Sequence, residues 1–421
     1  MQDLPKKLKF SAPESFQLVM TGLRYLREYE RKAEAGTLNR ATEMLATGVR
    51  KFPHDIGPRF YLGVAKAVSG AKNSGEAITL LEGLLKDIEK YNNRDLMLTV
   101  KYNLACAYAG TYEPEGLRKA RQLLGEVLNE LPKEKTAAQN VLQRQAEIFL
   151  FWLDIRDVRE GKLAIQRQRK QEAKPEQREI EDFRKRIYTI EKNMARFKEE
   201  FDREGVAEHE RNDVLADYWN NHGIITWYLA EVEESEEIRR QNGQKAIGSF
   251  QKSLRCKLDW PPPRSNMAMV YHDILKDRAQ AAKIWLSILD TEPTHAFAMI
   301  NLGGLAEEKA KKEKNPNTAR VYWKEAVDWY RKAESKSAAL SRARVLLNEL
   351  HETAEARAVL NELLEKLDPA NPGNATYCSK ACEIMGEIQE RLGNVAEAIA
   401  AYEKSDRPKA REALARLRGA N

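Results

Sequence analysis

One spacing recurs along this chain and constrains its fold more than any other feature: a small residue, a large residue four later, and an aliphatic or small residue three after that. Ala41, Leu45 and Gly48 show it, followed by Pro53; Ala120, Leu124 and Val127 precede Pro132; Ala281, Trp285 and Ile288 precede Pro293. The triplets Ala77/Leu81/Leu84, Ala246/Phe250/Ser253, Ala326/Tyr330/Ala333, Ala356/Leu360/Leu363 and Ala398/Tyr402/Ser405 repeat the spacing without the proline. Positions i, i+4 and i+7 share one face of an α-helix, so each triplet is a helix face with a hole beside a knob. Proline past the last turn stops the helix and starts another. Upstream of these lie shorter signals, a large residue followed by a small one, at Leu62-Gly63, Leu104-Ala105, His222-Gly223, Leu302-Gly303 and Met385-Gly386. Two helices that alternate in this way give a helical hairpin, and a repeated hairpin gives a stacked array.

The paired signals resemble the tetratricopeptide repeat. MGEIQERLGNVAEAIAAYEKS at 385–405 is the nearest copy, with Gly386, Ala398 and Tyr402 at the family spacing, and EAVDWYRKA at 325–333 is a second. The resemblance covers roughly residues 15–135 and 212–406, in about eight hairpins. It implies an all-α, right-handed solenoid with first helices lining a groove. Two repeats depart from it: Gly223 to Ala246 and Gly303 to Ala326 are 23 apart, where the family has twelve. The extra segments, EVEESEEIRRQNGQ and EEKAKKEKNPNT, are charged; longer helices with solvated tips are expected, turning at Gln-Asn-Gly and Asn-Pro-Asn. DWPPPR at 259–264 reads as a stiff turn between repeats.

Residues 136–211 break the pattern. Ile180, Phe183, Ile187, Ile190, Met194, Phe197 and Phe201 alternate spacings of three and four, a heptad seam, and Ile148, Phe151, Ile155, Val158 and Ile165 offer a partner seam. Pro175 separates the two. The expected organisation is therefore tetratricopeptide-like repeats over 1–135, a long coiled-coil-like hairpin inserted at 136–211, further repeats over 212–406, and a capping helix at 407–421 with Ala413, Leu414 and Leu417 inward. Arg167, Arg169, Lys170, Lys174, Arg178, Arg184, Lys185 and Arg186 give the long hairpin a basic outer face, with acids interspersed, which is a solvated surface or a docking surface.

Function is read mainly from what a groove of first helices can do. The resemblance places an Asn before the large–small pair, facing the groove, where its amide can hold a peptide main chain by both donor and acceptor. Asn103, Asn221 and Asn301 stand there, with Tyr61 in the equivalent place; Trp227 and Tyr228 fall near the groove end of a first helix. A local polar contact between helices is the competing reading for each Asn, and core packing for most of the tryptophans.

Composition narrows the remaining classes. With 42% hydrophobic and 32% charged residues the chain can bury a core, and a net charge of +6 from 70 basic and 64 acidic residues is too thin to demand nucleic acid. Single-stranded RNA in the groove is the second reading, and pairing of two copies through a solenoid end or the long hairpin the third. No phosphate-binding loop, nucleophile elbow or metal-binding helix motif occurs, and neither catalysis nor a cofactor is implied. Cys106, Cys256, Cys378 and Cys382 form no disulfide framework or zinc pattern. No apolar run suits a membrane span and no leader is evident, so the expected setting is cytoplasmic. The expected function is that of a scaffold or adaptor that holds a partner's peptide or helix and recruits or regulates an effector.

Overall fold

A computed structural model describes residues 8, 10–32, 35–69, 73–89, 93–170, 177–204, 208–258, 260–368 and 372–419. Every regular element among them is a helix. The chain divides into two compact units, Met1–Leu275 and Lys276–Asn421.

The first unit holds α1 (Pro13–Lys32), α2 (Ala35–Lys51), α3 (Ile56–Val68), α4 (Ser74–Glu89), α5 (Arg94–Gly110), α6 (Pro114–Glu130), α7 (Ala137–Lys170), α8 (Gln177–Asp202), α9 (Glu208–Val232), α10 (Glu236–Cys256) and α11 (Pro261–Asp273). The second holds α12 (Arg278–Thr291), α13 (Ala296–Lys312), α14 (Pro316–Lys332), α15 (Lys336–Asn348), α16 (Thr353–Lys366), α17 (Pro372–Arg391), α18 (Val395–Tyr402) and α19 (Pro408–Gly419).

Within the first unit α1, α3, α5, α7, α9 and α11 each touch the next in that series, whereas their hairpin partners are spaced further apart. The first helices thus form one contiguous layer in this unit. In the second unit α15, α17 and α19 are adjacent in the same way. The repeated triplets supply the packing. Ala41, Leu45, Ala77, Leu81, Leu84, Ala120, Leu124, Val127, Ala246, Phe250, Ala281, Ile288, Ala326, Ala356, Leu360 and Ala398 are all fully buried. Each buried Leu or Phe contributes roughly 1.5–3 kcal/mol relative to exposure.

The long helices α7 and α8 pack on one another, and both reach α9. All seven seam residues of α8, from Ile180 to Phe201, are buried. They share a core with Ile148, Ile155, Val158 and Ile165 of α7 and with Val214, Tyr218, Ile225 and Tyr228 of α9. Arg144 closes the open end: its guanidinium is buried between Glu147 at 2.7 Å and Glu204, and stacks on the Phe197 ring at 5.3 Å. A buried guanidinium is tolerable only with such neutralising, hydrogen-bonded acids.

Three local readings of the sequence are settled by capping. Asn315 caps α14 by accepting from the amides of Asn317 and Thr318, with Pro316 at the first helical position, as Asn-Pro-Asn suggests. Gln-Asn-Gly at 241–243, expected as a turn, lies inside α10. Ser235 caps that helix by accepting from the Ile238 amide and starts it earlier, and Gly243 is there because a Cβ would fall 2.7 Å from Ile274. The prolines of DWPPPR, expected as a turn, form the first turn of α11, where their missing N–H groups have no intrahelical partner to lose. At the other end Ala410 and Ala413 of α19 are buried on Ala398 and Tyr402, with Leu414 and Leu417 packed beside them.

Candidate functional site

Which face a first helix turns outward is decided by its small residue. A Cβ on Gly223 would lie 2.5 Å from the Phe250 ring, on Gly303 2.6 Å from Tyr330, and on Gly386 2.5 Å from Tyr402. In each hairpin the glycine receives the aromatic knob of the second helix and fixes the helix rotation. The chain folds as tetratricopeptide-like helical hairpins.

Comparison with known proteins adds little to that. No family model and no curated protein matches the chain. Among solved structures it is similar to TTC0263, a thermophilic tetratricopeptide protein of Thermus thermophilus, at 17% identity over 47% of this chain and 98% of that one, with TM-score 0.32. It is similar to the tetratricopeptide domain of P58(IPK) at 14% identity, covering 94% and 97% of the two chains, with TM-score 0.25. It is similar to the apo form of RapI at 12%, covering 95% and 99%, with TM-score 0.41. Values this low transfer no partner or activity, and the fold assignment rests on the hairpin packing itself.

With that rotation fixed, the outward face of α13 carries Phe297, Asn301 and Gly304 at i, i+4 and i+7. Phe297 is 46% exposed, and a Cβ on Gly304 would meet nothing within 4 Å. Asn301 donates its amide to the Phe297 carbonyl at 2.7 Å, leaving its side-chain oxygen available. Gly303 and Gly304 therefore do opposite jobs one residue apart.

In the first unit the first-helix layer includes α5, α7 and α9. Tyr102 meets Phe149 edge-on at 6.4 Å, and Phe149 meets Trp152 at 5.6 Å. Burial pushes the Cys106 thiol up to about 12, against the opposing effect of a hydrogen bond with Tyr102. Burial, helped by Cys106 and Asp217, raises the Tyr102 hydroxyl well above its usual range. Asp217 keeps exposed surface, yet enough protein surrounds it that desolvation pushes its carboxyl up to about 6; Lys257 opposes this and Asp213 adds to it. Tyr102, Phe149 and Asp217 are not singled out by the sequence, and Cys106 figures there only as a thiol without a disulfide or zinc pattern. Their helical spacing on α5 (102 and 106) was the available signal.

The residues chosen from sequence separate. Asn103 is buried and bonds the Thr99 carbonyl of its own helix at 2.8 Å. Asn221 is buried and reaches the Ile148 carbonyl of α7 at 3.4 Å. Tyr61 is fully buried against Phe60, with its hydroxyl unpartnered; an aromatic at this position is drawn into the core, so the ring is no exposed contact here. Trp227 is half-buried and Tyr228 buried, and Lys162 sits over both rings, at 5.3 and 4.2 Å, while pairing with Glu231 at 2.6 Å. Burial raises the Tyr228 hydroxyl to about 12. Only Asn301 of the six stands on a visibly open stripe.

On the long hairpin Arg178, Lys185 and Arg186 are exposed, and Arg184 is half-buried and bonds Glu233 at 3.0 Å. Lys174 and the side chains of Arg167, Arg169 and Lys170 lie outside the described residues. Among the described residues no three acids, histidines or cysteines gather as metal ligands, all four cysteines are free thiols, and no helix is long and apolar enough to cross a membrane.

Proposed function

We propose that this chain is an interaction scaffold or adaptor whose first-helix face holds a peptide or helix of a partner protein, so as to recruit or regulate an effector. The observation that carries the reading is the open stripe of α13. Glycine inside a helix costs about 1 kcal/mol against alanine, and at Gly304 no neighbouring side chain uses the space it leaves. An exposed Phe297 beside that space offers an anchor, and the pinned Asn301 offers an acceptor for a main-chain N–H. In the first unit the half-buried Tyr102 and Phe149, beside the exposed Asp217, offer a second surface. The basic face of α8 is a second contact in the same proposal, and free thiols fit a reducing, cytoplasmic setting.

Selection of a displayed peptide library on the full chain tests this. Enriched peptides should lose binding to Gly304→Arg or to Asp217→Arg in variants whose helicity by circular dichroism is unchanged. Peptides that bind all three proteins alike would refute the reading.

A further inference from the structure

A guanidinium in the first unit is held as if for a ligand. Arg156 of α7 lies over two rings, 4.7 Å from the centroid of Tyr112 and 5.6 Å from that of Trp152. Tyr112 closes the turn after α5 at φ 60, a left-handed conformation that a bulky L-residue adopts at a cost, and its ring is 57% exposed. The turn thus keeps an exposed aromatic in a disfavoured backbone state, where its evident contact is the guanidinium.

The charges around it are unevenly satisfied. Asp154 and Asp157, on the same helix, are both engaged by Arg121, at 2.6 and 2.7 Å. Lys162, a turn and a half further on, is paired with Glu231. Arg156 and Arg159 have no ion pair among the described residues, and both stand close enough to Tyr228 to favour its phenolate. Two cations are thus left over beside Asp154, Asp157 and Glu231, which Arg121 and Lys162 already engage.

We infer that Arg156, with Arg159 beside it, is an anchor for a carboxylate side chain of an acidic partner peptide. Stacking covers the faces of a guanidinium and leaves its in-plane N–H edge, which matches a carboxylate with two parallel hydrogen bonds. A lysine offers no such edge. The inference rests on the peptide-holding role proposed above and gives that peptide a charge.

The test is fluorescence anisotropy of labelled oligoglutamate, oligoglutamine and oligouridylate with the full chain and with Arg156→Ala, Arg156→Lys and Tyr112→Gly. Oligoglutamate should bind about tenfold more tightly than oligoglutamine, as charge-assisted hydrogen bonds would give. Arg156→Ala should remove that preference, and lysine should fail to restore it. Tyr112→Gly should weaken oligoglutamate while raising the unfolding midpoint, a divergence that a merely structural contact would not produce. Oligoglutamate binding that ignores Arg156→Ala, or tighter binding of oligouridylate through the same residues, overturns the acidic-peptide anchor. If Arg156→Ala is silent but library peptides still fail on Asp217→Arg, the anchor is wrong and the scaffold reading stands. Peptides indifferent to both would sink the scaffold reading itself.

Discussion

Gly303 and Gly304 give opposite answers to one substitution, which makes them a close test of the packing argument. Alanine at 303 would place its Cβ 2.6 Å from one Tyr330 ring carbon and 2.9 Å from two others. The ring cannot easily retreat, because its hydroxyl donates to Glu307 at 2.6 Å, and Glu307 is itself buried and held by Arg344 at 2.6 and 2.7 Å. Overpacking of this kind costs about 1–3 kcal/mol, and loss of the Glu307 bond adds to it. The helix gains about 1 kcal/mol from replacing glycine, so a net loss of about 1–2 kcal/mol is expected for Gly303→Ala. At Gly304 nothing lies within 4 Å, so Gly304→Ala keeps the helical gain and should stabilise by about 0.5–1 kcal/mol. Urea unfolding of the full chain, followed by circular dichroism, reads both as shifts of the midpoint in opposite directions. Equal stabilisation by the two alanines would show that Gly303 is not the hole for the Tyr330 knob.

Other consequences are as direct. Lys162→Met should cost about 1–3 kcal/mol by leaving the half-buried Glu231 with Gln166 but no cation, and Lys162→Met with Glu231→Leu should cost less than the single change, which a double-mutant cycle measures. Tyr112→Gly should raise stability by about 1–2 kcal/mol through relief of the left-handed backbone, read from the urea midpoint. Desolvation raises the Asp217 carboxyl from 3.8 to about 6, so the folded state holds its proton more tightly than the unfolded chain. The contribution of this group is then greatest at low pH and is lost as pH rises from about 3.8 to about 6; Asp217→Asn should flatten that part of the stability profile.

The hairpins were legible in the sequence because each is written locally. A small–large–aliphatic triplet spread over two helical turns carries its own period, and the α8 seam shows its buried face by spacing alone. The turns at 241–243 and 259–264 misled for a local reason of a different kind. Glycine and proline mark turns, but they also mark close helix approach and a helix's first turn, and only the position of the cap tells these apart. The site was less legible because its parts are brought together from distant helices. Asn221 is consumed by the Ile148 carbonyl 73 residues away, and Arg156 is stacked by Tyr112 from an earlier hairpin. Asn103 illustrates a further limit: its position before a large–small pair is as described by the repeat, yet the depth of the neighbouring helices decides whether its amide is exposed.

The claim that the first-helix face holds a partner's peptide is tested most directly by titrating a library-selected peptide into the wild-type chain and into Gly304→Arg and Asp217→Arg by isothermal calorimetry. Binding with a negative heat-capacity change to the wild type, and its loss in at least one blocked variant of unchanged helicity, is the predicted result. Unchanged affinity for both blocked proteins would contradict it and move the binding surface off the first-helix layer.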